Sequence, residues 1–221
     1  MLNQTALGAC APVLLIDSPA ERRLPHQSRI AAHMPILLLG ASRATALRII
    51  DGCVALYREL ADGRRIILDI LGPGRLLGAD LADIHQCKAV TLTLTSVETI
   101  DTERALASIG NAIREMLLRA QAHALLLGRK TAPERVATAL LDLAHQFARK
   151  SGAPLARGRT TFTLYLTRAD LADWLGLTLE TVSRCLSALK RSRLIAFDRP
   201  ELITITDRTA LEALAAGHLH A

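Results

Sequence analysis

The sequence predicts an α+β chain in three successive parts: a β-roll over 1–101, a long helix over 102–130 and a winged helix-turn-helix over 131–221. Three observations point there. Short apolar segments punctuated by glycine run from Pro35 to Ile100. Helical spacing then takes over at Thr102 and holds for nearly thirty residues without a proline. Finally, two short helical segments joined by a glycine turn precede two short strands.

The β part is built from paired runs. Cys53 to Tyr57 and Ile66 to Leu71 flank Ala61-Asp62-Gly63-Arg64, a hairpin signal because glycine takes the positive φ of a tight turn. Gly72-Pro73-Gly74 closes the second run. Ala89 to Thr95 alternates with period two and is rich in β-branched residues, which predicts one half-buried strand.

In the long helix, Ala105, Ile109, Ile113, Met116, Ala120, His123 and Leu127 recur every three or four residues, with Arg104, Arg114, Glu115 and Arg119 on other faces. Such a stripe packs either on its own domain or on a second helix. We take Ile109, Ile113, Met116, Ala120 and Leu127 as the seam of a homodimer. Gly128 interrupts the pattern, Pro133 suits the first turn of a helix over Glu134 to Arg149, and Ser151-Gly152-Ala153-Pro154 reads as loop.

Thr167-x-x-Asp170 is a capping-box variant opening a helix from Arg168 to Leu175. Gly176 breaks it, Thr178 caps a second helix from Leu179 to Arg191, and Ile195–Phe197 with Leu202–Ile205 form the strands of a wing. At 100° per residue, Ser183, Arg184 and Ser187 fall within about 60° of Glu180, while Val182, Leu186 and Leu189 take the opposite face. Carboxylate, hydroxyl and guanidinium together are the groups that read base edges in a major groove. The bland alternative is a solvated helix face carrying a Glu180–Arg184 pair. A carboxylate would repel phosphate, so Glu180 makes sense as a base reader and poor sense as a bare affinity contact. Glu180, Ser183 and Arg184 are therefore the expected base contacts. Thr167, Arg168, Thr178 and Thr181, near the ends of the two helices, are the expected phosphate contacts.

Composition agrees with a double-stranded DNA partner. Of 221 residues, 27 are basic and 21 acidic, a net +6, and half are hydrophobic. Three Phe, two Tyr and one Trp are too few aromatics for a single-strand binder that stacks bases. No apolar run approaches the ~20 residues that span a bilayer. The four cysteines, at 10, 53, 87 and 185, form no C-x-x-C pair and suit a reducing, cytoplasmic setting. Leu7-Gly8-Ala9-Cys10 imitates a lipoprotein cleavage box but lacks the basic and apolar stretches that should precede it.

The segment from Thr167 to Arg184 resembles the DNA-binding segment of the CRP/FNR transcription regulators. Within that family, Glu180, Ser183 and Arg184 are similar to the E-x-x-S-R of the FNR and FixK branches. The likeness extends, more loosely, to Asp51–Tyr57 and Ala61–Arg65, and covers about 35 to 215. It implies a cyclic-nucleotide-binding-like (cupin-like) β-roll sensor domain and a homodimer on the long helix. It also implies TTGAT-type palindromic sites, contact with RNA polymerase, and activation more than repression. Departures from the family matter for the sensor. Gly78 is followed by Ala79 and Asp80 instead of glutamate, and no arginine lies between Arg75 and Arg104 to hold a cyclic phosphate. Cys10 is alone at the N-terminus, so the thiolates of an iron–sulfur cluster cannot be assembled. The expectation is no cofactor and no metal. The alternative is a haem sensor using the His85-Gln86-Cys87 loop, comparable with that of a carbon-monoxide-sensing member but with Cys and His reversed.

Cys185 adjoins Arg184, yet its angle on the helix places it with the apolar face, as a small buried hydrophobe. Catalysis is not expected. Gly72 to Gly78 mimics a dinucleotide fingerprint with the wrong last spacing, and metalloprotease, nucleophile-elbow and P-loop motifs are missing.

Overall fold

The computed structural model describes residues 14–15, 27–37, 45–78, 87–101, 105–148 and 159–218. The N-terminal strands are β1 (Leu14–Leu15), β2 (Gln27–Ile30), β3 (Pro35–Leu37), β4 (Thr45–Asp51), β5 (Val54–Glu59), β6 (Arg65–Leu71), β7 (Leu76–Gly78), β8 (Lys88–Thr91) and β9 (Thr95–Asp101). They form two sheets, ordered β1-β3-β8-β5-β6 and β2-β9-β4-β7. Ile30, Leu47, Ile49 and Val97 from the smaller sheet meet Ile36, Val54 and Leu71 from the larger one in a shared core. This is the β-roll that the sequence predicts.

The Asp62-Gly63 hairpin forms between β5 and β6 as expected. Gly63 adopts φ +84, and the Leu60 N–H donates to the Arg64 carbonyl at 2.8 Å. The expectation of one strand over Ala89–Thr95 is corrected: β8 ends at Thr91, the chain bends, and β9 begins at Thr95 in the other sheet. Both threonines are fully buried. The Thr91 hydroxyl donates to the Ala31 carbonyl at 2.6 Å and that of Thr95 to the Thr93 carbonyl at 2.9 Å. A buried hydroxyl needs a partner; Thr91 finds it in the turn between β2 and β3, and Thr95 finds it in the bend itself. Period-two alternation does not reveal that.

Helix α1 (Leu106–Arg129) follows, then α2 (Ala132–Phe147), whose start is fixed when the Thr131 N–H donates to Glu134 Oε2 at 3.0 Å. The C-terminal part continues through β10 (Thr160–Thr163), α3 (Arg168–Leu175), α4 (Leu179–Arg191), β11 (Ile195–Arg199), β12 (Leu202–Ile205) and α5 (Arg208–Ala215). The wing is a three-stranded sheet ordered β10-β12-β11. Neither β10 nor α5 is among the sequence expectations.

Alternation along the larger sheet sends Val54 and Leu71 into the β-roll core and their neighbours Ala55 and Ile70 to the other face. There Ala55, Ile67 and Ile70 join Leu126 of α1, Leu140 and Leu143 of α2, and Leu171 and Leu175 of α3 in one continuous apolar cluster. The helix-turn-helix is thus docked on the outer face of the β-roll. Among the described residues, no helix is long and apolar enough to cross a membrane.

Candidate nucleic-acid interface

The first helix of the helix-turn-helix is set by local chemistry. The Asp170 N–H donates to the Thr167 hydroxyl at 3.0 Å, and that hydroxyl donates to Asp170 Oδ2 at 2.7 Å. The Thr167 N–H closes the box on the same oxygen at 2.9 Å. At the other end, Gly176 takes the left-handed conformation at φ +60. A side chain there would also crowd Leu127 and Arg135, so glycine suits the turn on both grounds. Thr178 then caps α4, accepting from the Thr181 N–H at 3.1 Å.

The two faces of α4 divide as the wheel predicts. Val182, Cys185, Leu186 and Leu189 are buried. Glu180 and Arg184 are the outermost charged pair, with side chains 76% and 70% exposed and 3.3 Å apart. A pair so exposed contributes little to stability and is free to exchange its internal bond for contacts elsewhere. Ser187 Oγ donates to the Ser183 carbonyl at 2.9 Å. Glu180, Ser183, Arg184, Ser187 and Arg191 line one shallow groove along the helix. Arg191 was absent from the sequence expectations, although its position, seven residues beyond Arg184, marks it as a member of the stripe.

The four residues expected at phosphates differ in how much freedom they retain. Thr167 is exposed, but its hydroxyl proton is committed to Asp170. The Thr178 and Thr181 hydroxyls lie 2.9 Å apart and share one hydrogen bond. Arg168 is half-buried over the ring of Phe197. Burial lowers its pKa, with Glu201 opposing. Cys185 behaves as the small apolar residue that its angle suggests, and burial pushes its thiol up, Arg184 opposing.

A set of polar ties fixes this unit against the rest of the chain. Arg65, just beyond the hairpin turn, reaches Asp170 at 2.6 Å and Asp173 at 2.8 Å. Burial works to raise the Asp170 pKa, but the hydrogen bonds from Thr167 and Arg65 prevail and hold it below the ordinary carboxylate range. Arg119 of α1 binds Asp69 of β6 at 3.0 Å and Asp142 of α2 at 2.9 Å. Burial alone would lower its pKa; the two carboxylates raise it instead. Arg135 of α2 donates to the carbonyls of Leu127 at 2.8 Å, Lys130 at 2.9 Å and Leu175 at 2.9 Å, joining the end of α1 to the helix-turn-helix. His123 stacks on Trp174, with centroids 6.2 Å apart and planes 9° from parallel.

Of the five seam residues, Ile113, Met116 and Ala120 are exposed on α1, Ile109 is half-buried, and Leu127 leans on the chain's own core. Leu106 and Leu117 are also exposed, beside Ile113 on the same side of the helix. His123, which shares the heptad-like spacing, instead faces Trp174. In the β-roll, Cys87 is half-buried, whereas Cys10, Ala79, Asp80, His85 and Arg104 lie outside the described residues. Cys53 is fully buried at the sheet, and burial pushes its thiol far up.

Residues 134–214 match the profile of a Crp-like helix-turn-helix domain. The nitrogen fixation regulation protein FixK of Azorhizobium caulinodans is 38% identical over 177 residues, spanning 75% of this chain and 69% of that one. Its namesake from Rhizobium meliloti is 36% identical over 171 residues and 76% of each chain. The solved structure of FixK2 from Bradyrhizobium japonicum superposes with a TM-score of 0.72 at 32% identity, covering 88% of this chain and 98% of that one. These relatives are regulators and not enzymes. With a docked β-roll, a helix-turn-helix and these relatives, the chain belongs to the CRP/FNR family of DNA-binding transcription regulators, in its FixK-like branch.

Proposed function

We propose that this protein is a homodimeric transcription activator that reads TTGAT-type palindromes with Glu180, Ser183 and Arg184. The observation that carries this reading is the helix-turn-helix itself: Gly176 turns α3 into α4, whose inner face is locked in the core and whose outer face presents Glu180, Ser183 and Arg184 along one groove. Arginine takes guanine O6 and N7 together, a carboxylate accepts from the cytosine amine, and serine adapts to either. Thr167, Arg168, Thr178 and Thr181 stand at the duplex backbone and set the register. Two copies must present their recognition helices about 34 Å apart, which calls for a fixed two-fold axis. The exposed side of α1 supplies it, with Ile113, Met116 and Ala120 at the centre and Leu106 and Leu117 extending the apolar stripe. Exposed leucines in that number on one helix are costly in water unless a partner covers them. RNA polymerase is the downstream partner, and the cytoplasm is the setting. Site binding requires neither cyclic AMP, nor an iron–sulfur cluster, nor haem.

The test is fluorescence anisotropy of the purified protein with a TTGAT palindrome and a scrambled duplex at matched salt. The expected result is tight binding to the palindrome in plain buffer, unchanged by cyclic AMP. Equal affinity for both duplexes would overturn the reading.

A further inference from the structure

The one aromatic ring on β11 faces both helices of the helix-turn-helix. Phe197 stands on β11, half-buried, with its ring packed against the apolar core. Lys190, near the end of α4, places its Nζ 4.5 Å from the ring centroid and donates to the Phe197 carbonyl at 2.8 Å. Arg168, the first residue of α3, places its Cζ 5.8 Å from the same centroid. One ring therefore gathers a cation from each helix of the helix-turn-helix and ties both to the wing. The attraction of a ring quadrupole for a cation is appreciable only within about 6 Å, and both cations lie inside that reach.

We propose that Phe197 is a positioning residue for duplex binding: its ring holds Arg168 and Lys190 where they meet phosphates of one DNA backbone. The inference rests on the DNA-binding reading above and adds a residue with no direct contact to the bases. The physical advantage is preorganisation. A lysine stem loose in solvent surrenders its rotamer freedom when its ammonium docks on a phosphate, whereas a stem held by a ring and a carbonyl has lost that freedom already. A lysine sitting on a backbone carbonyl still has donors left for a phosphate oxygen, since an ammonium carries three. Arg168 carries five N–H donors, and a Cζ 5.8 Å from the ring leaves it donors for a phosphate, which must compete with the nearby charge of Glu201.

The experiment compares Phe197→Leu, Phe197→Tyr, Arg168→Gln and Lys190→Gln by salt-dependent duplex binding, with melting temperature and circular dichroism as folding controls. Leucine keeps the apolar bulk and removes the quadrupole; tyrosine keeps both. Phe197→Leu is expected to weaken palindrome and scrambled duplex by the same factor, roughly tenfold. It should also flatten the dependence of log K on log salt by about one to two units, as loss of one or two phosphate contacts does. Phe197→Tyr should restore both. Adding Lys190→Gln to Phe197→Leu should cost little more, because the ring and the cation act as one unit. An unchanged salt slope in folded Phe197→Leu would overturn the proposal while leaving the DNA reading intact, and so would a loss confined to the palindrome. If Phe197→Leu does not fold, Arg168→Gln and Lys190→Gln decide: salt slopes equal to that of the parent would overturn it. A parent protein that binds no duplex would remove the DNA reading itself, and the proposal with it.

Discussion

Replacing Arg119 by methionine removes the single cation from a triad that joins β6, α1 and α2. The Arg119 and Asp69 side chains are each 16% exposed, and that of Asp142 is 31% exposed. Methionine fills most of the arginine stem's volume, so the loss is chiefly electrostatic. Breaking a buried pair by deleting one partner costs about 3–5 kcal/mol, because the remaining charge is left without compensation. Two features place this case near the lower end. Asp142 is the more solvated carboxylate, and it keeps a hydrogen bond from Gln146 Nε2 at 3.0 Å. About 3 kcal/mol is expected. For a chain of this size, 1 kcal/mol moves the melting temperature by about 2–4 °C, which gives a fall of roughly 6–12 °C. Differential scanning calorimetry at neutral pH measures it. Restoring apolar complementarity with Arg119→Met, Asp69→Leu and Asp142→Leu together should recover most of the loss, since a well-packed apolar replacement of a buried ionic group is often neutral. A fall of less than 2 °C for the single variant would show that solvent screens the triad and that it ties nothing together.

Arg184→Ala should weaken palindrome binding by about 1–3 kcal/mol and relax selectivity at one base position, read by anisotropy against a set of single-base variants. Ile113→Glu, and equally Leu117→Glu, should give monomers in sedimentation velocity that have lost specific binding; an unchanged dimer would misplace the seam. An absorbance spectrum of freshly purified protein should lack a Soret band, whereas a Soret band lost in a His85 or Cys87 variant would establish a haem sensor. Trp174 is the only tryptophan, so its fluorescence reports on His123 directly. Burial lowers the His123 pKa, with Arg119 and Arg135 in the same sense and Asp69 opposing. The unfolded chain then binds the proton first, so stability is full above about pH 6.5 and declines as pH falls through the lower folded value. Fluorescence should change with a midpoint below 6.5 and stay flat in His123→Gln; a midpoint above 6.5 would refute the burial argument.

What was legible in the sequence was local. Thr167, Asp170, Gly176 and Thr178 act within a few residues of themselves, and their bonds define both ends of α3 and the start of α4. The Asp62-Gly63 turn is equally self-contained. The apolar face of α4 was legible because helical period alone sorts it. The β8–β9 break was hidden in part because the Thr91 hydroxyl bonds to the Ala31 carbonyl, which only the fold brings near. β10 was hidden for a related reason: its four residues gain strand character by pairing with β12, some forty residues later. Least legible were the ties between the parts. Arg65 and Asp170 are separated by 105 residues, and no pattern in either neighbourhood calls for the other. The long-helix stripe falls between these cases. Helical period alone does not say which edge of a stripe meets its own core, and Leu127 and His123 turn inward.

These distant polar ties matter more than their strength suggests. The apolar cluster under the helix-turn-helix supplies adhesion, but apolar burial is non-directional and tolerates sliding. Hydrogen-bonded charges do not. Arg65 grips α3 from the hairpin side at two carboxylates, Arg135 holds its C-terminal end through the Leu175 carbonyl, and Arg119 fixes α2 to the β-roll. Anchors at separate places on the docked unit fix its orientation as well as its position. On the proposed reading of a palindrome, orientation is what matters, because two recognition helices would have to meet successive major grooves from one side of the duplex. On that reading, a small rotation of each unit about its docking face would move Glu180 and Arg184 off the base edges, and the ionic ties resist that rotation directionally. The ionic ties therefore stand where the hydrophobic core cannot specify the answer.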